Sequence, residues 1–104
     1  MNSTIYTVID SHVKQNRIVV YMKGSPELPR CGFSKDVIGV LDHLGVKYLS
    51  FDVLDNPELR EAIKEYGKWP TIPQVYIDGV LVGGCDILLE MYRDGSLQKL
   101  IGVA

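Results

Sequence analysis

The chain has 104 residues, 46% of them hydrophobic and 23% charged, the make-up of one soluble globular domain spanning 1–104 with a single core. A net charge of −2 leaves no basic stripe to follow a phosphate backbone, and no apolar run approaches the ~20 residues of a membrane span, so nucleic-acid and membrane partners are excluded. Two cysteines are too few for a disulfide scaffold, and no charged-then-apolar leader follows Met1, which points to a reducing, cytoplasmic setting and against a cleaved organelle precursor.

In chain order, Ser3 to Gln15 reads as a helix with Ile5, Val8, Ile9, His12 and Val13 on one face and Ser3 or Thr4 as its cap. Ile18 to Met22 is a short, mostly β-branched run, expected as a strand buried on both faces. Gly24, Pro26 and Pro29 make Lys23 to Arg30 a loop. Helical spacing resumes from Ser34, with Val37, Ile38, Leu41 and Leu44 on one side, and Gly45 suits the left-handed position that ends a helix. Val46 to Val53 alternates as a second strand. Asp55-Asn56-Pro57 then starts a helix whose apolar face is Leu59, Ala62, Ile63 and Tyr66, with Gly67 as its end. Gln74 to Ile77 and Val80 to Val82 flank Asp78-Gly79, a two-residue hairpin turn. Gly83-Gly84 breaks the last strand, and Asp86 is expected to cap a final helix carrying Ile87, Leu88, Met91 and Tyr92. The order α-β-α-β-α-β-β-α implies two parallel strands joined by a right-handed crossover and an antiparallel hairpin added to the same sheet, with helices on both faces.

Three segments carry chemistry. Cys31-Gly32-Phe33-Ser34 follows a strand and loop and opens a helix, whose unpaired N–H groups favour negative charge on a thiol placed there. A Cys-x-x-Cys pair closes its own disulfide; with Ser34 in the second place this motif cannot, so Cys31 must act with something outside it. The competing reading, a buried structural cysteine, fits poorly beside Pro29, Arg30 and Gly32, which describe an exposed turn. Trp69-Pro70-Thr71-Ile72-Pro73 precedes the hairpin. A cis Ile72–Pro73 bond would turn the backbone N–H and C=O of Ile72 outward, although sequence alone favours trans. Gly83-Gly84-Cys85-Asp86 places a second helix N-terminus after two glycines, which reads as a carboxylate site or as a plain helix cap. Cys85 itself reads as an inert core residue, with a resolving thiol or a second ligand as the alternatives. Lys23 lies near Cys31, and Arg60 and Lys64 share one helix face; charges of this kind are most often solvated. His12 and His43 match no metal-ligand spacing with the cysteines.

Taken together, Lys23 to Ser34, Trp69 to Tyr76 and Gly83 to Asp86 resemble the three signatures of CGFS-type monothiol glutaredoxins, in the right order and over essentially the whole chain. Ser25 departs from the threonine usual there. The resemblance implies a thioredoxin-like α/β fold, a four-stranded mixed sheet flanked by helices on both faces, and a cis Pro73. It implies a glutathione groove in which Lys23 and Arg60, assisted by Lys64, attract the glycine carboxylate, the backbone of Ile72 at Pro73 pairs with the cysteinyl part, and Cys85 and Asp86 hold the γ-glutamyl end. It also implies a [2Fe-2S] cluster bound by Cys31 and shared by two subunits. Such a cluster ordinarily takes four thiolates. Cys31 from each of two chains and the thiols of two glutathiones make four, and Cys31 plus Cys85 from each chain make four as well; the Lys23, Arg60 and Asp86 constellation favours the glutathione count. Glutathione-dependent thiol–disulfide exchange at Cys31 is the competing activity, expected to be weak. A homodimer in the cluster-bound state, BolA-like proteins and iron–sulfur acceptor or scaffold proteins are the partners the resemblance allows.

Overall fold

The structure, a computed structural model, describes residues 3–103. The elements are α1 (Ser3–Gln15), β1 (Ile18–Met22), α2 (Gly32–Leu44), β2 (Leu49–Asp52), α3 (Pro57–Gly67), β3 (Gln74–Ile77), β4 (Val80–Gly83), α4 (Cys85–Asp94) and α5 (Ser96–Ile101). The four strands form one mixed sheet in the order β2-β1-β3-β4. β1 and β2 run parallel, in register Val19 with Leu49, whereas β3 is antiparallel to both β1 and β4. This is the thioredoxin-like arrangement expected from the sequence.

The pleat of β1 explains the layers. Ile18, Val20 and Met22 point to one face and pack under α2, α4 and α5, against Val37, Leu41, Leu88, Leu97 and Ile101. Val19 and Tyr21 point to the other and pack under α1 and α3, against Ile9, Val13, Leu59, Ile63 and Tyr76. All five residues of β1 are buried, so its unbroken β-branched run is what a central strand with two covered faces requires.

Several expectations need correction. β2 spans Leu49–Asp52 rather than Val46 to Val53, its pairing with β1 starting at Leu49 opposite Val19 and ending at Asp52 opposite Met22. Val8 is 40% exposed and off the buried face, which is carried by Ile9 and Val13. Ser3 is the first helical residue of α1, and the position that would cap it lies outside the described residues. Asp86 does not cap α4; Gly84 occupies that place and Asp86 sits in the first turn. A further short helix, α5, follows Gly95, whose left-handed backbone (φ 86°) ends α4. Asn56 caps α3 as expected, its side chain accepting from the Leu59 N–H at 3.1 Å.

α3 ends at Gly67 as expected, and Lys68 after it takes the left-handed conformation at φ 51°. Glycine at 67 answers to space instead. A Cβ there would run into the Tyr76 hydroxyl and come within 2.9 Å of Gln74 Oε1. Gly67→Ala is therefore expected to cost about 1–3 kcal/mol by overpacking. Urea unfolding checks this, and a stability equal to that of the unaltered chain would mean that the α3–β3 contact gives way freely.

Candidate functional site

Cys31 occupies the cap position of α2 with an extended backbone (φ −151°), its carbonyl accepting the first helical bond from Lys35 N–H at 2.9 Å. Its thiol is half-buried and free, at the end of the loop that β1 feeds. That loop is pinned rather than loose. Lys23 N–H donates to Ser34 Oγ at 3.1 Å, Gly24 N–H to Asp52 Oδ1 at 2.9 Å, and Arg30 N–H to the Lys23 carbonyl at 2.9 Å. Asp52 also accepts from Leu54 N–H at 2.9 Å, so one carboxylate at the end of β2 ties the loop to the next turn. Gly24 is required where it stands: its φ is +88° and a Cβ would lie 2.7 Å from Arg30 N.

Ser34, in the second thiol's place, is fully buried with its hydroxyl engaged by Lys23 N–H. It links the start of α2 to the end of β1 and is closed off from any ligand.

Beside Cys31 lies a cleft. One wall is Trp69, Thr71, Ile72 and Pro73; the other is Gly84, Cys85, Asp86 and Ile87; Phe33 flanks it. The Ile72–Pro73 bond is cis. The cleft's chemistry comes from α4: the first N–H groups of a helix have no carbonyl of their own helix to bond, and they carry its positive end. Gly84 lets the walls approach, because a Cβ would lie 3.1 Å from the Pro73 carbonyl oxygen and 3.4 Å from Trp69 Nε1. The cleft therefore brings the N-terminus of α4 and the exposed carboxylate of Asp86 together with the apolar side chains of Phe33, Ile72, Pro73 and Ile87.

The structure brings Ile72, Pro73, Cys85 and Asp86 together in this cleft. Cys31, Lys23, Arg60 and Lys64 are not part of its walls. Cys31 begins the helix whose first turn carries Phe33 to the cleft, and Lys23 is bonded to the same helix through Ser34. Arg60 is half-buried and its Nε has no hydrogen-bond partner, whereas Lys64 pairs with Glu61 at 3.6 Å. Phe33, Trp69, Thr71 and Ile87 are cleft residues that the sequence reading did not single out. The first three lie inside its quoted motifs, so the signal was present, while nothing in the sequence around Ile87 or Asp52 marks them.

Cys85 is 7% exposed and packs in the core layer of α2 and α4. Burial chiefly pushes its thiol above the ordinary 9.0, with Asp36, Asp86 and Cys31 adding to the shift against Arg93. Both cysteines are free. Among the described residues no group of three or more His, Cys, Asp or Glu side chains could hold a metal ion, and no helix is long and apolar enough to cross a membrane.

The chain matches the glutaredoxin family over residues 18–82. It is 47% identical to a ycf64-like monothiol glutaredoxin of Synechocystis over 100% of this chain and 97% of the relative. Among solved structures it is similar to reduced apo GrxS14 of poplar, with 43% identity, a TM-score of 0.83, and 94% and 90% of the two chains covered. It is also similar to a buckwheat glutaredoxin in complex with glutathione, with 27% identity, a TM-score of 0.83, and 98% and 94% covered.

Proposed function

Because the chain belongs to the glutaredoxin family and to its monothiol branch, we propose that it binds glutathione across the cleft and carries a [2Fe-2S] cluster as cargo between two copies of itself. One observation carries this reading. Cys31 is the one accessible thiol and caps the helix whose first turn carries Phe33 to the cleft, while Ser34 is buried and hydrogen-bonded and Cys85 is buried with a raised pKa. A single chain thus offers one accessible sulfur ligand toward the four that the cluster ordinarily takes. Two chains offer two, and the thiols of two bound glutathiones complete the set.

Glutathione fits the cleft by charge. It carries two carboxylates and one ammonium, so it wants two ends rich in N–H or positive charge and one acid. The N-terminus of α4 meets the γ-glutamyl carboxylate, Asp86 its ammonium, and the backbone of Ile72 the cysteinyl amide. Lys23 and Arg60, with Lys64 on the same helix face as Arg60, would attract the glycine carboxylate from outside the cleft walls. The buckwheat relative bound to glutathione supports the same ligand. Ligands that are not covalently attached can leave, which suits a protein that hands its cluster on.

Anaerobic purification followed by absorption spectroscopy and gel filtration tests the proposal. A brown, glutathione-containing dimer that turns into a colourless monomer on cluster loss is expected. A protein that stays colourless after incubation with iron, sulfide and glutathione overturns it. The half-exposed Cys31 also suits a second reading, in which its thiolate attacks the glutathione sulfur of a mixed disulfide, releases the other thiol, and is freed by a second glutathione as glutathione disulfide. Turnover equal to that of a dithiol glutaredoxin in a glutathione-coupled assay would place this activity first.

A further inference from the structure

We propose that Gln74 is a positioning residue for the cleft: its buried amide holds the Trp69–Thr71 segment in the shape that receives glutathione, an inference that rests on the glutathione reading above. Gln74 opens β3 and has no exposed surface, which sets it with Ser34 as one of two polar residues in the core among those described. Its Nε2 donates to the Trp69 carbonyl at 3.0 Å and to the Thr71 carbonyl at 3.4 Å. Carbonyls only accept, so the amide nitrogen has to face them, and Oε1 is left to accept the Tyr76 O–H at 2.9 Å.

Trp69 and Thr71 are walls of the cleft. The segment that holds them contains Pro70 and Pro73, which have no N–H, and it belongs to no helix or strand. A backbone ladder cannot fix such a stretch, and the Gln74 amide takes over that task from the side. An apolar side chain of the same length would fill the space but would leave two carbonyls and the Tyr76 hydroxyl without partners. The close approach at Gly67 belongs to the same assembly, since it leaves room for the Tyr76 hydroxyl and Gln74 Oε1.

Gln74→Glu separates positioning from bulk. Burial raises a carboxyl pKa, so a glutamate here is protonated at low pH and its O–H donates to one carbonyl. At higher pH the carboxylate faces two carbonyl oxygens and pushes the segment away. The titratable group bonded to position 74 is the Tyr76 hydroxyl, with Tyr21 and Tyr66 packed on the Tyr76 ring. Burial first of all raises all three phenols, Tyr66 to about 12 with help from Asp10, so none ionises in the range tested. The charged side chains at the adjoining end of α3 are Lys64, paired with Glu61, and Glu65 and Lys68.

The test titrates glutathione into the protein between about pH 5.5 and 8, above the range of its carboxylates and below that of its ammonium, which the adjacent free α-carboxylate holds above a peptide α-amino group. Emission of Trp69, the chain's one tryptophan and a wall of the cleft, reports binding, and circular dichroism follows folding in parallel. The unaltered chain should bind with an affinity that is nearly flat. Gln74→Glu should bind within about 3-fold of it at the acid end and lose about 10-fold or more by the alkaline end, and Gln74→Met should bind weakly throughout, as expected for losing buried hydrogen bonds. A flat profile in Gln74→Glu, unaltered affinity in Gln74→Met, or binding lost only in step with the folded dichroism signal overturns the positioning role. Failure of the unaltered chain to bind glutathione instead overturns the glutathione reading, and this inference with it.

Discussion

Cys31→Ser is expected to abolish cluster binding outright, giving neither visible absorption nor a dimer after anaerobic reconstitution with iron, sulfide and glutathione. Donor chemistry sets this outcome. Cluster iron takes thiolates, and a serine hydroxyl does not ionise near neutral pH. No nearby side chain is placed to substitute. Ser34 has its hydroxyl buried against Lys23 N–H, and Cys85 is buried in the layer between β1, β3, α2 and α4. The fold should be untouched, because Cys31 caps α2 through its backbone and makes no side-chain cap bond. Circular dichroism and thermal melting matching the unaltered chain, together with complete loss of colour, are the expected pair of results. Retained colour would assign the cluster to other ligands.

The second large effect separates the two thiols by reactivity. Alkylation by iodoacetamide at neutral pH should modify Cys31 at least about 100-fold faster than Cys85, since the rate follows access and thiolate fraction together. Cys31 is half-buried at the mouth of the loop; Cys85 is 7% exposed and its pKa is raised, chiefly by burial and then by Asp36, Asp86 and Cys31. A thiol with a raised folded pKa stays neutral past the ordinary 9.0, so Cys85 should stay slow there and speed up only at higher pH. The stability that its neutral form contributes is present below the unfolded value and is lost as pH rises through the folded one. Peptide mass mapping of a time course reads both rates. Equal rates at neutral pH would return Cys85 to the role of a resolving thiol or cluster ligand.

The sequence was most readable where local chemistry and tertiary context agree. Asn56-Pro57 at the start of α3, Gly45 at the end of α2 and Asp78-Gly79 in the hairpin each impose a backbone shape that no packing has to supply, and all three appear where expected. The β-branched run of β1 was equally plain. It failed where a partner decides the outcome. β2 is shorter than its alternating pattern, since only Leu49 to Asp52 pair with β1. Gly67 ends α3 as read, but its residue type does not tell that it is small on account of the Tyr76 hydroxyl and Gln74 Oε1, which β3 brings against it. Asp86 looked like a cap because capping favours aspartate, yet Gly84 takes the position and leaves Asp86 in the first turn, near the cleft.

The site divides in the same way. Cys31, Ile72, Pro73, Cys85 and Asp86 were marked by motifs, and four of them form the cleft that Cys31 adjoins. Asp52 and Gln74 were not marked as working residues, because what they do is reach backbone groups elsewhere in the chain: Gly24 and Leu54 for Asp52, Trp69 and Thr71 for Gln74. A side chain that acts by holding another segment shows its purpose only after the chain has folded.

The most direct measurement of the central claim, that glutathione supplies the ligands this chain lacks, is anaerobic reconstitution of Cys85→Ser with iron and sulfide, with and without glutathione. Absorption, gel filtration and the glutathione content of the product are read together. The account predicts a brown dimer holding two glutathiones per cluster when glutathione is present, as in the unaltered chain, and a colourless protein when it is absent. Colour lost in Cys85→Ser despite abundant glutathione, or a coloured dimer formed without it, would contradict the account and give Cys85 the place assigned to glutathione.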